Sequence, residues 1–366
     1  MKSTFFASAA TLALVAGSAS AGNLDRNQTP IDIIFEQGNY AELSFSYTQP
    51  SLTGSDNLGN GIGNIAKDFG LVAGGVKMQF TDRFGVAVYY DQPYGVDVQY
   101  GGNPAATLLG GTMAKADTDA LTILARYNVT DRVMVYGGPR LVNADGEITL
   151  SGLGYGGLNG YNVRFESDQG LGYVLGAAYE IPDIAFRAAL TYHSEVDLDL
   201  QSTETFPGGA PVATGATPAT LPQSVKLQAQ SGIAKDTLVF GSIRWSEHSQ
   251  FTLDPPSPAP NLAALNDSWT YEIGVGRRFT EKFSANVSYI YEDEAGSDQV
   301  SPLAPAHNRQ AVSIGGKYQI NEMFNVSGGV RYTWLGDAQP SPGGVPRGSF
   351  TNNDALTIGM KVGVNF

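Results

Sequence analysis

The sequence of 366 residues contains no cysteine, which removes disulfide scaffolds, thiolate metal sites and cysteine nucleophiles together. Histidine is scarce: only His193, His248 and His307 occur. A hydrolytic nucleophile needs a base beside it. His193 and Ser194 are neighbours in sequence, and in a strand they point to opposite faces, so they do not pair. No phosphate-binding loop is present, and neither a cofactor nor a metal is expected. Basic residues are also few, 22 against 35 acidic ones, and the net charge of −13 argues against nucleic acid as a partner. Beyond the first residues no apolar run reaches 18 positions, so membrane-spanning helices are excluded.

What is present begins with a secretory signature. Lys2 precedes the short apolar run 5–15, and Ala19-Ser20-Ala21 offers a small-residue cleavage site, so 1–21 reads as a signal peptide and the mature chain as starting at Gly22. At the other end, Leu356, Ile358, Met360, Val362, Val364 and Phe366 alternate with Thr357, Gly359, Lys361, Gly363 and Asn365, which is the period of a strand. This resembles the closing strand of outer-membrane proteins. The terminal Phe366 then implies a contact with barrel-assembly machinery.

Alternating stretches recur through the chain, at 39–49, 70–80, 83–92, 116–129, 132–142, 170–181, 183–195, 223–232, 236–246, 267–279, 282–293, 308–320, 323–334 and 353–366. Most are close to, or slightly longer than, the roughly 9–11 residues a tilted strand needs to cross a bilayer. Connections alternate strictly between short and long. The short ones are Thr81-Asp82, Thr130-Asp131, the Pro182 corner, Ala234-Lys235, Thr280-Glu281 and Asn321-Glu322. The long ones, 50–69, 93–115, 143–169, 196–222, 247–266, 294–307 and 335–352, are rich in Gly, Pro, Asn and Ser. The pattern predicts an all-β protein: a 14-stranded antiparallel transmembrane β-barrel over 39–366, with both termini at the periplasmic end of a Gram-negative outer membrane. Residues 22–38 carry the apolar cluster Ile31, Ile33, Ile34 and Phe35, and are read as a short N-terminal plug or hatch inside the barrel.

A basic residue on the lipid face at mid-membrane costs roughly 2–4 kcal/mol, so charges within strands should point inward. Strand parity agrees for Lys77, Arg126, Arg140, Arg187, Lys226, Arg244, Lys317, Arg331 and Lys361, against fewer inward acids, Glu42, Asp91, Glu180 and Glu272. The lumen is therefore expected to be basic. Arg140, Lys317 and Arg331, near mid-strand, are the candidates to bind a carboxylate, although such bases also serve simply to hold a barrel and its plug. In the third strand Asp91, Gln92, Pro93 and Gly95 interrupt the run toward Tyr100, because proline has no N–H for the ladder. The break either ends the strand or opens a gap in the barrel wall.

With these features assembled, the chain resembles the FadL/TodX family of outer-membrane transporters. The resemblance is carried by the stretches 33–46, 90–95, 192–197, Leu221-Pro222, Trp245-Ser246 and 302–315. It implies passive uptake of hydrophobic compounds, above all long-chain fatty acids and in some branches aromatic or aliphatic hydrocarbons. It further implies capture from the lipopolysaccharide layer by outer-loop side chains, here Leu150, Leu153, Tyr155, Leu158, Leu198, Leu200 and Phe206. Movement of the hatch and sideways exit at Asp91–Gly95 would follow. The family's hatch is usually longer and often contains Asn-Pro-Ala; here Asn103-Pro104-Ala105 lies in an outer loop instead. The rival readings are a general porin, an outer-membrane lipase and a structural or adhesive barrel.

Overall fold

The computed structural model describes residues 24–27, 31–208, 211–257, 261–263 and 265–366. The expected signal peptide and the positions 22–23 and 28–30 of the expected hatch lie outside the described residues. The fourteen barrel strands are β1 (Tyr40–Ser51), β2 (Phe69–Gln79), β3 (Phe84–Asp91), β4 (Met113–Asn128), β5 (Val133–Leu150), β6 (Tyr161–Ile181) and β7 (Phe186–His193). They continue as β8 (Ser224–Ala234), β9 (Thr237–Ser246), β10 (Ser268–Arg278), β11 (Phe283–Glu294), β12 (Arg309–Gln319), β13 (Phe324–Leu335) and β14 (Asn353–Asn365). Each pairs antiparallel with its sequence neighbours, and β1 closes the cylinder on β14 through a continuous register from Tyr40↔Asn365 to Ser51↔Asp354. Closure removes the two free edges of an open sheet, which a bilayer demands because it offers no hydrogen-bonding solvent, and leaves Phe69–Ala73 of β2 without a β3 partner.

The faces follow sequence parity. In β14 Leu356, Ile358, Met360 and Val362 are exposed, while Thr357 and Lys361 are buried. In β13 Phe324, Val330, Tyr332 and Trp334 point out, whereas Asn325 and Thr333 point in. Aromatic residues collect on the outer surface at both ends of the strands. Phe80 stacks on Phe84 and Phe279 on Phe283 beside short turns, and Trp269 stacks on Tyr271 toward the long loops. These are the two interfacial girdles of a spanning barrel.

Two segments expected to be irregular loops are strands. β5 and β6 run for 18 and 21 residues, well beyond what a bilayer crossing requires. The stretch 196–222 folds as a hairpin of Val196–Thr205 and Pro211–Leu221, whose first strand pairs with β6 from Ser202↔Phe165 to Thr205↔Asn162. The reason is in the residues. Ala144, Ile148, Leu150, Tyr161, Val163 and Phe165 keep the strand period past the membrane boundary and bury their inward face under the hairpin. Sheet at the long-loop end therefore roofs the barrel.

Candidate functional site

Residues 31–35 of the N-terminal segment pack against the inward-facing side chains of the wall. Ile31 leads into a single 3-10 turn, Asp32–Phe35, and Ile33 and Ile34 are almost wholly enclosed. They pack among Ala87, Tyr89, Leu124, Tyr136 and Val174 of the surrounding wall. Phe35 meets the Tyr136 ring edge-on at 5.6 Å and carries the Arg187 guanidinium 4.1 Å above its face. Arg126 donates to the Ile34 carbonyl at 2.8 Å, and Lys77 donates to the Gly38 carbonyl at 2.9 Å. Much of the basic lumen anticipated from parity is thus a socket for this segment. Lys361 is held instead by Glu42 at 3.0 Å, and Arg309 by Glu292 at 2.5 Å.

Nearer the roof, Asp25 is fully buried against Arg244 of β9, its carboxylate also 3.5 Å from His248 Nε2. Burial alone would raise the Asp25 carboxyl, but Arg244, with His248 beside it, outweighs that and holds it well below the usual carboxylate range. Sequence reading overlooked this clamp. The charged pair Asp25-Arg26, unusual in a stretch otherwise read as an apolar plug, was the available signal.

The strand pairing of the wall changes where proline interrupts the third strand. β2 begins at Phe69 but pairs with β3 only from Gly74 to Gln79, leaving Phe69–Ala73 with β1 alone as a partner. After Pro93 the chain resumes as the strand Gly95–Gln99, which pairs with β4. Beyond the opening, Lys67 N–H donates to the Asp97 carbonyl and Gln99 N–H to the Ile65 carbonyl, at 3.1 and 2.8 Å. The Gln92 side chain reaches across, accepting from Val72 N–H at 3.0 Å and donating to Asp119 at 3.3 Å. From inside, the N-terminal segment docks on the break: Arg26 and Asn27 N–H both donate to the Pro93 carbonyl, and Gly95 N–H donates to the Leu24 carbonyl. A side chain at 95 would be crowded, since its Cβ would lie 2.8 Å from the Ala116 carbonyl oxygen and 2.6 Å from the Arg26 Cζ.

Under the roof lies an apolar cavity of about 80 Å³, lined among others by Leu24, Tyr94, Gly95, Phe165, Leu198 and Leu200. Of the seven loop residues expected to capture ligand, Leu150, Leu198 and Leu200 are buried, and Tyr155, Leu158 and Phe206 pack against the same cluster. Leu153 stands apart, 48% exposed. The three expected carboxylate binders do not converge. Arg140 faces Thr122 and Gly172 across its strand pairs and is buried. Lys317 lines a separate vestibule of about 990 Å³ at the short-turn end, together with Glu36. Arg331, opposite Ser313 and Thr357, lines neither.

One connection of the long-loop end carries a titratable latch. His307, before β12, lies 3.5 Å from Glu294 at the end of β11, and that carboxylate raises the imidazole above its ordinary value against the opposing effect of burial. A raised folded pKa stabilises fully below the unfolded value of about 6.5 and fades as pH climbs through the folded value. The protection of amides in the connection 295–308, relative to their intrinsic exchange rates at each pH, is therefore expected to be greater at pH 6 than at pH 8.5, and His307→Gln should abolish that difference.

Residues 32–366 match a family model described as outer membrane protein transport protein (OMPP1/FadL/TodX). Among solved structures, a FadL homologue of Pseudomonas aeruginosa superposes with a TM-score of 0.74 at 15% identity, covering 96% of this chain and 97% of that one. The toluene transporter TodX of Pseudomonas putida gives a TM-score of 0.68 at 13% identity over 92% of each chain. The toluene transporter TbuX of Ralstonia pickettii gives 0.65 at 16% identity, over 96% of this chain and 97% of that one. No curated protein sequence matches. At such identities the structural likeness establishes the fold.

Proposed function

This chain belongs to the OMPP1/FadL/TodX family, outer-membrane channels for hydrophobic compounds, and on that premise we propose that its permeants are long-chain fatty acids released sideways through the barrel wall. The observation that carries this reading is an apolar cavity under the roof that reaches Gly95, at a break in the wall against which the N-terminal segment is docked. In this reading the long loops face outward and both termini lie in the periplasm, as short turns there would require. Acyl chains leave the lipopolysaccharide layer for the roof side chains, where burial is worth about 0.8 kcal/mol per CH₂. The cavity at rest has several times the room one water molecule needs. A whole acyl chain enters only when the roof side chains part.

The segment 22–38 acts as the hatch. Its release from the socket joins the cavity to the opening at Asp91–Gly95. Arg140, the one basic candidate whose charge reaches Tyr94 of the cavity wall, meets the carboxylate, with Lys317 and Arg331 serving farther down. A lumen filled by Ile33, Ile34 and Phe35 argues against a general porin. A second reading, an aromatic hydrocarbon as permeant, is favoured by the toluene transporters among the similar structures.

The test is uptake of labelled oleate by cells lacking their own transporter, with and without this protein. Uptake should fall severalfold when 22–38 is deleted or Pro93 is replaced by alanine. Uptake of toluene but not oleate by a folded barrel would establish the hydrocarbon reading instead.

A further inference from the structure

We propose that Arg26 is a carboxylate-exchange residue at the wall opening, where the headgroup of a departing fatty acid takes the place of Asp117. The proposal rests on the fatty-acid reading above and adds to it a residue that sets permeant preference.

The geometry begins with strand parity. On β4, Ala114, Thr118, Ala120 and Thr122 are buried inside, while Leu121 and Ile123 are exposed to the outside. Asp117 shares the parity of Leu121 and Ile123, so its carboxylate belongs to the outer surface. Arg26, in contrast, is part of a segment whose backbone is hydrogen-bonded along the inner side of the break. Its Nη1 nevertheless reaches Asp117 Oδ1 at 2.9 Å. On the way the guanidinium lies 4.8 Å from the centre of the Phe69 ring, at the start of β2 where its β3 side is unpaired, and over Gly95. The side chain therefore passes through the opening between β2 and the strand Gly95–Gln99, and plugs it.

Chemistry then distinguishes permeants. The apolar cavity ends on Gly95 and on the β4 stretch that bears Asp117, so a carboxylate leaving it meets a guanidinium already holding a carboxylate. Exchanging one for the other conserves the charge of the pair and its guanidinium–carboxylate contact, so the barrier is lower than for pulling the guanidinium free. Asp117 is not stranded by the exchange. Its side chain is 45% exposed, and Lys115 on the same outer face has its Nζ 3.9 Å from Oδ2. A hydrocarbon has no group to offer and must displace the plug without compensation.

The experiment compares uptake of labelled oleate and labelled hexadecane by cells carrying the full-length protein, Arg26→Gln, Arg26→Lys or Asp117→Asn. The ratio of oleate to hexadecane uptake should fall about tenfold in Arg26→Gln, in keeping with the loss of one charge-assisted contact. Arg26→Lys should recover part of it, and Asp117→Asn, which removes the competitor, should raise it. A ratio unchanged in Arg26→Gln, with oleate uptake intact, overturns this proposal alone. Absence of oleate uptake by the unmodified protein overturns the fatty-acid reading and the exchange with it.

Discussion

Arg244→Leu is expected to release the upper part of the N-terminal segment while leaving the barrel folded. Asp25 has no exposed surface, and its charge is met by Arg244 with help from His248. Removing one partner of a buried pair strands the other, at about 3–5 kcal/mol. That cost falls on docking rather than on the barrel, because β9 keeps its full register with β8 and β10. Amide protection over 24–27 should drop by two orders of magnitude or more, and that of the barrel strands should hold. Adding Asp25→Asn should restore part of the protection by removing the stranded charge. Unchanged protection in Arg244→Leu would mean that the backbone bonds at Pro93 and Gly95 hold the segment unaided. The clamp should also persist under mild acid. A carboxyl held below its unfolded value stabilises at every pH above that value and is lost only as pH falls through the depressed one.

The second large effect is expected at the roof. Glu204 of the hairpin strand Val196–Thr205 is fully buried and accepts from the Tyr161 hydroxyl at 2.7 Å, from Ser257 N–H at 3.0 Å and from the Ser257 hydroxyl. It thereby straps the connection between β9 and β10 across the cavity, where Leu253 and Leu262 are buried. Glu204→Leu leaves the Tyr161 hydroxyl and the Ser257 amide without an acceptor, at about 1–3 kcal/mol each. The strap should become protease-sensitive near residue 257 and ligand entry should quicken, with no change in the heat stability of the barrel. Glu204→Gln, which keeps an acceptor oxygen, should lie between. A strap as resistant in Glu204→Leu as in the parent would show that the apolar contacts of Leu253 and Leu262 suffice.

The barrel was legible because lipid imposes a period of two on every spanning strand and a short-long rhythm on the connections. Leu356 to Val362 alternating with Thr357 to Lys361 is that constraint written directly in residues. The ends of β5 and β6 were not legible by the same rule. Membrane thickness was used as the limit, whereas Ile148, Leu150, Tyr161 and Val163 go on alternating for a roof. The buried apolar cluster of the N-terminal segment, Ile31 to Phe35, could be named from hydropathy alone. The roles of Asp25 and Arg26 could not, since these gain meaning only from Arg244 and Asp117, residues 219 and 91 positions away. Arg140, Lys317 and Arg331 shared a parity but not a place, and parity carries no information on depth.

The Gln92 side chain has a consequence for how large such an opening can be. A hole in a lipid-facing wall leaves amides and carbonyls facing a solvent that cannot bond them, each at several kcal/mol. Here one rim is stitched by a glutamine amide standing in for the missing strand at Val72, and the other by the backbone of Leu24, Arg26 and Asn27 at Pro93 and Gly95. Each stitch answers one or two backbone groups. On the proposed lateral exit, the width of the portal is set by how many such substitutes the chain can supply, which would make it a slot a few residues tall. On that same reading, any widening during passage would last only while the permeant itself covers the uncovered rim.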